Sequence, residues 1–221
     1  MSGVGGLKAS LLLTLGVASA VVGGCSKQQP VAAIALLDCS ESSWPHRQGS
    51  IAALRTIAHA LDPVLDRLAI YRMTDTIFPI YPRREPSGRE LAAVLAAYSD
   101  GERWDERGTA YGDGLDRVLR DARDAQRGGY RTAILVFGDG ADEPIARPHA
   151  NFDPIDPVRW TDPLRALASS SVLAFMFTEP RRTDHFRPLL DGLDRDRVFA
   201  LSPVAMSSPK GLTAIIRTLG R

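Results

Sequence analysis

The chain of 221 residues is 44% hydrophobic and carries 27 Lys and Arg against 26 Asp and Glu, a formal charge of +1. That length and composition fit one globular domain with a full core and exclude disorder as the starting point. The balanced charge, mostly arginine scattered without a dense run, excludes the basic footprint of a nucleic-acid binder and a polybasic membrane patch.

The first segment stands apart. Lys8 precedes an apolar run from Ala9 to Val22 that ends in Gly23, Gly24 and Cys25, the layout of a secretory signal over residues 1–24. The run is shorter than the roughly 20 residues that span a bilayer. Val22-Gly23-Gly24-Cys25 resembles the lipobox of bacterial lipoproteins, which implies removal of residues 1–24 and lipidation of Cys25 at the new N-terminus. The same resemblance lets Ser26 favour the outer membrane over the inner where a cell has two. A simple cleaved signal or a buried apolar helix are the plainer alternatives. Residues 25–30, "CSKQQP", form a polar linker whose five residues after Cys25 reach at most about 17 Å. The domain over residues 31–221 is then expected close to the anchoring membrane. Cys39 becomes a lone thiol, read as a small core residue.

From Val31 the pattern alternates between short apolar runs and longer amphipathic ones, the sign of a wound α/β sheet. "VAAIALL" (31–37) is uninterrupted and reads as a central parallel strand buried on both faces. Gly49 to Leu68 carries Ile51, Leu54, Ile57, Ala58, Leu61 and Leu65 at helical spacing. "LAIYRMTD" and "TIFPIYP" read as two strands around a tight turn, with Pro79 and Pro82 confining the second to an edge. Helices are expected from Arg89 to Tyr98 and from Tyr111 to Gln126, the latter stopped by Gly128-Gly129. "RTAILVF" (131–137) is the second strongly buried strand. After a proline-rich loop from Ala141 to Thr161 come a short helix at Pro163 to Ala168, the strand "SVLAFMFT", a helix near Asp184 to Leu190, the strand "RVFAL" and a closing helix from Pro209 to Leu219. The expected fold is a Rossmann-like, doubly wound, mostly parallel sheet with one short antiparallel edge strand and helices on both faces.

In such sheets ligands bind beyond the carboxyl ends of the strands, where connections diverge. Asp38, Ser40 and Ser42 follow the first buried strand, Asp139 follows the second, and Thr109 stands at a helix entrance after Gly108. Three separated segments thus offer oxygen ligands on one rim. Two carboxylates and three hydroxyls suit Mg²⁺ or a similar hard cation such as Mn²⁺ or Ca²⁺. A turn leaving a strand can aim every second side chain at one point, which selects Asp38, Ser40 and Ser42 and turns Cys39 and Glu41 elsewhere.

These residues resemble a von Willebrand factor type A (VWA) domain with a metal-ion-dependent adhesion site (MIDAS). The Asp-x-Ser-x-Ser motif falls on Asp38, Ser40 and Ser42, the threonine on Thr109 and the second aspartate on Asp139, with "GTAYGDGL" and "ILVFGDGADE" around them. The resemblance implies direct metal contact from Ser40, Ser42 and Thr109, with Asp38 and Asp139 in the water-mediated shell. Gly138 departs from the pattern, which often has a hydroxyl or small apolar residue before that aspartate. An isolated Asp-x-Ser-x-Ser arises by chance in roughly one chain in twenty of this length, and as a turn or helix cap it is unremarkable. Its place after a buried strand, with the other two segments, gives it weight.

Competing chemistry is poorly served. His46, His59, His149 and His185 lack paired spacing for zinc. No Gly-x-Ser-x-Gly elbow is present. A dehalogenase-type phosphatase needs a second carboxylate two residues after the first, where Ser40 stands. Trp44, Trp104 and Trp160 all fall in segments expected on the metal face, where they either form a partner-binding rim or plug the core beneath the loops. The sequence reading is therefore not an enzyme. It is an envelope lipoprotein facing the periplasm, a metal-dependent protein-binding module whose partner supplies an Asp or Glu to the metal. A metal-dependent hydrolase and a scaffold with a vestigial site are the alternatives.

Overall fold

Seven apolar residues ahead of Asp38 leave no polar face for solvent, and the strand β1, Val31–Asp38, is buried at every position. Such a strand must be covered on both sides, which crossover helices do in a parallel sheet. The computed structural model describes residues 29–101, 108–139, 157–168, 171–177, 198–201 and 209–219. In it β1 pairs in parallel with β2 (Arg67–Met73) on one side and with β4 (Arg131–Gly138) on the other. The six-stranded sheet runs β3-β2-β1-β4-β5-β6. β3 (Ile77–Arg84) is its antiparallel edge, while β5 (Ser171–Phe177) and β6 (Val198–Leu201) continue it in parallel on the far side. This is the expected fold class. The edge strand has 8 residues, as many as β1, and tolerates Pro79 and Pro82 because an edge position asks less of the backbone N–H groups.

The pleat of β1 sorts the helices. Val31, Ala33, Ala35, Leu37 and, beyond the strand, Cys39 pack with Ile51, Leu54 and Ile57 of α1 (Arg47–Ala60), Leu91 and Leu95 of α2 (Arg89–Ser99), and Leu212 and Ile215 of α5 (Pro209–Leu219). Ile34 and Leu36 face the opposite layer with Tyr111, Leu115 and Val118 of α3 (Tyr111–Arg127) and Leu164 and Leu167 of α4 (Pro157–Ala168). Cys39 is a fully buried free thiol on the α1 side.

Two element boundaries differ from the sequence reading. The first helix spans Arg47–Ala60, not Gly49 to Leu68, because Pro63 cannot donate to a helix and disfavours helical backbone before it. Asp62 instead accepts the N–H groups of Val64 and Leu65 at 2.8 and 2.9 Å, so that Leu65 is exposed rather than part of an apolar stripe. The fourth helix begins at Pro157, where a proline fits the first turn, and runs through Pro163; the backbone of Trp160 is thus helical and not the end of a loop. Cys25, Trp104 and the helix expected near Asp184 to Leu190 lie outside the described residues.

The amino end of β1 is pinned by a buried carboxylate. Asp66 accepts the Val31 N–H at 2.7 Å and the Asp62 N–H at 2.8 Å, and the Arg131 N–H donates to the Pro30 carbonyl at 2.8 Å. Replacing Asp66 with Ala leaves these two amides without their acceptor. The expected cost is about 1–3 kcal/mol of unfolding free energy in urea, with Asp66→Asn recovering part of it; an unchanged midpoint would show that the strand start is held by other means.

Candidate metal centre

β1 and β4 are neighbours in the sheet, and the helices that follow them, α1 and α4, pack on opposite faces, the topology in which ligands bind beyond the carboxyl ends of the strands. The register pairs Leu37 with Phe137, which brings Asp38 beside Gly138 and sets Asp139 just past the rim. Asp38 is 1% exposed and Asp139 4%. The Asp139 N–H approaches Asp38 Oδ2 at 3.4 Å.

Past Asp38 the chain does not continue as an extended turn. Ser40 is extended (φ −69°, ψ 162°) and its carbonyl accepts the Ser43 N–H at 3.1 Å, which starts a 3-10 turn over Glu41–His46. Pleat alternation therefore carries only as far as Ser40, and Ser42 is brought to the site by the turn. The Ser40 N–H donates to Asp38 Oδ1 at 2.9 Å, the Ser40 and Ser42 hydroxyls lie 3.1 Å apart, and Ser42 Oγ donates to Asp139 Oδ2 at 2.7 Å. Asp38, Ser40, Ser42 and Asp139 are thus one hydrogen-bonded chain spanning two strands. Glu41 is exposed.

The end of β2 holds the third segment. The Met73 carbonyl accepts the Cys39 N–H at 2.9 Å, and the next carbonyl, Thr74, accepts the Ala110 N–H at 2.7 Å. One strand tip thereby anchors both the segment after β1 and the entrance to α3, where Thr109 is 3% exposed. Two residues absent from the sequence reading of the site also touch Asp38. Ser43 Oγ donates to Oδ2 at 2.9 Å, and the Tyr111 hydroxyl lies 3.4 Å from the same oxygen. Ser43 breaks the every-second-residue rule, and only the helical turn could have revealed it.

Trp44 is half-buried and packs against the α1-side core. The Arg47 guanidinium lies 3.9 Å from the centre of its ring. A Cβ on Gly101, at φ +91°, would fall 2.2 Å from the edge of that ring, so Gly101 is needed both for its backbone and for its lack of a side chain. These contacts give Trp44 a packing role beneath the rim.

Burial and, after it, the charge of Asp139 push the Asp38 carboxyl up from 3.8 to about 6; hydrogen bonds from Ser40 and Ser43 act in the other direction. Among the described residues, none of the groups acting on Asp38 is cationic. The Cys39 thiol is raised well above its ordinary range, first by burial and then by Asp38, against a smaller pull from Arg72, and is chemically quiet. Among the described residues no three His, Cys, Asp or Glu side chains gather, which disfavours a zinc-type cluster. Two adjoining buried carboxylates bordered by hydroxyls fit a hard divalent cation bound through oxygen.

A scan against protein-family models finds no match, and a search of curated proteins finds none. Solved structures do match. A von Willebrand factor type A protein from Catenulispora acidiphila is 17% identical, with a TM-score of 0.60 over 87% of this chain and 43% of that one. Manganese-loaded Plasmodium vivax TRAP protein is 13% identical, with a TM-score of 0.61 over 87% and 74%. Proximal thread matrix protein 1 from the mussel byssus, with a zinc-occupied MIDAS motif, is 17% identical, with a TM-score of 0.54 over 86% and 44%. The chain spans less than half the length of the first and third of these. At such identities the likeness concerns architecture, and with the strand order it shows that the chain has the fold of von Willebrand factor type A domains.

The raised carboxyl of Asp38 makes the chelator-treated protein sensitive to pH. The native state holds a proton that the unfolded chain releases between pH 3.8 and about 6, so the contribution of Asp38 to stability is greatest below pH 3.8 and falls as pH rises to about 6. Measured against Asp38→Asn, which does not titrate, the wild type is expected to lose about 3 kcal/mol of unfolding free energy across that window. A pH-independent difference between the two proteins would refute the repulsive pair.

Proposed function

We propose that the chain is a divalent-metal-dependent protein-binding module, anchored in the cell envelope through a lipidated Cys25 and facing the periplasm, on the outer membrane where there are two. The observation that carries the reading is the buried pair Asp38 and Asp139, joined through Ser42, with the Asp38 carboxyl pushed up by burial and by the charge of Asp139. By the family pattern, Ser40, Ser42 and Thr109 hold the metal directly and Asp38 and Asp139 hold it through water. Mg²⁺ is the expected ion, with Mn²⁺ or Ca²⁺ as substitutes. A metal held mainly by neutral hydroxyls stays electron-poor and attracts an Asp or Glu carboxylate from a partner protein. The likeness to TRAP in its manganese-loaded form and to the mussel protein with zinc in its MIDAS motif supports a divalent ion in this fold.

The chain's own residues then have separable tasks. Asp38 and Asp139 supply negative charge, the three hydroxyls define direction, and the strand tips keep the donors in place without ligand. Trp104 and Trp160 remain candidates for the partner-binding rim, whereas the packing of Trp44 makes it a support for the rim.

Calorimetric titration of the folded domain with Mg²⁺ is expected to give saturable heat that is absent in Asp38→Ala, with circular dichroism confirming that the variant is folded; equal heats in both proteins overturn the metal site. In the wild type, the rise in melting temperature on adding Mg²⁺ is expected to be larger at pH 7 than at pH 5, because the ion competes with the proton on Asp38. Pull-down from envelope extract tests the partner: capture abolished by EDTA supports a metal-bridged contact, and capture indifferent to EDTA refutes it.

A further inference from the structure

The departure at Gly138 has a structural counterpart in the residue that stands beside it against Asp38. Gly138 ends β4 and is buried, and a Cβ placed on it would lie 1.7 Å from the Tyr111 hydroxyl oxygen and 2.7 Å from both Cβ and Oδ2 of Asp38. The space beside Asp38 that a side chain at position 138 needs is therefore filled from elsewhere, by a phenol. Tyr111 is the first residue of α3, is fully buried, and belongs to the α3-side core through its ring. Its hydroxyl lies 3.4 Å from Asp38 Oδ2. A core aromatic with a polar tip normally finds that tip a partner, and here one such partner is Asp38, a carboxylate of the candidate metal site.

We propose that Tyr111 is a positioning residue of the metal centre, whose hydroxyl takes over the support that Gly138 cannot give and fixes Asp38 Oδ2 from the α3 side. The inference rests on the metal-binding reading above. It also joins two contributors to the site: Tyr111 follows Thr109 by two residues, so its contact with Asp38 ties the entrance of α3 to the end of β1. Oδ2 then has a hydroxyl on either flank, from Ser43 at 2.9 Å and from Tyr111, while Oδ1 is held by the Ser40 N–H. A carboxylate fixed at both oxygens presents its remaining lone pairs in one orientation, the requirement for holding an ion through water. Gly138 and Tyr111 form an interlocking pair, since neither a larger residue at 138 nor the loss of the phenol leaves Asp38 in place.

The test is a double-mutant cycle with Tyr111→Phe and Gly138→Ala, reading Mg²⁺ affinity by calorimetry and the melting temperature of the EDTA-treated protein. Tyr111→Phe keeps the ring in the core and is expected to weaken Mg²⁺ binding about tenfold in a folded domain. Gly138→Ala is expected to weaken it further in the wild type than in the Tyr111→Phe background, where the collision with the hydroxyl is gone. Unchanged affinity in Tyr111→Phe, or equal losses from Gly138→Ala in both backgrounds, overturns the proposal. A role confined to core packing would lower the metal-free melting temperature and leave the affinity of the folded protein unchanged, which also counts against it. Absence of Mg²⁺ heat from the wild type is the separate failure of the metal reading. In that case the metal-free melting cycle still decides, coupled temperatures upholding the Tyr111–Gly138–Asp38 contact and additive ones refuting it.

Discussion

Two carboxylates at the ends of adjacent parallel strands are the constraint around which the rest of the molecule is arranged. Asp38 and Asp139 are almost fully buried, and burial together with the charge of Asp139 disfavours the ionised form of Asp38. The fold accepts this cost for the metal-free state. It moderates it with the Ser40 amide, the Ser43 hydroxyl and the Ser42 bridge, and among the described residues no positive charge acts on Asp38. Local destabilisation of this kind persists only where the surrounding structure over-determines it. Here the surroundings are a strand buried along its whole length, a neighbour in fixed register and a helix whose first residue reaches across to the carboxylate.

The same constraint accounts for choices that look unrelated in sequence. Gly138 is needed because the Tyr111 hydroxyl and the Asp38 side chain crowd the point where its side chain would stand. Gly101 is needed because the Trp44 ring occupies the corresponding point under the rim. Asp66 pins the beginning of β1, so that the end of this 8-residue strand is not free to drift. Strand, glycine and carboxylate therefore act on one quantity, the placement of Asp38 relative to Asp139.

Much of this is legible in the sequence where the signal is one of period. The uninterrupted apolar run before Asp38 announces a doubly covered strand, and a second such run before Asp139 announces its partner. Their pairing follows from the wound topology. Boundaries set by single residues are less legible: Pro63 ends a helix whose apolar spacing continues through Leu65, and Pro157 starts one at a point that a second proline, Pro163, obscures. Ser43 and Tyr111 are invisible for a further reason. Their contact with Asp38 depends on a 3-10 turn and on a side chain crossing from another layer, and neither leaves a spacing in the chain. The anomaly at Gly138 was readable as a departure from the family pattern, but the phenol that compensates it becomes apparent only once α3 is packed against β1.

Strand direction, finally, bears on who can approach. The chain enters β1 at the end held by Asp66 and Pro30, and the metal centre lies at the other end, about 25 Å away at the rise of a parallel strand. Under the proposed anchoring at Cys25, a linker with a reach of about 17 Å is shorter than the strand it feeds. The domain can tilt about its anchor but cannot turn its metal face to the lipid without passing β1 through the membrane surface. A ligand in the same bilayer is therefore poorly placed to offer a carboxylate, whereas a protein extending through the envelope space meets the open side of the site directly. Under the proposed anchoring, the polarity of one strand would thus favour a partner that approaches from the side opposite the anchor.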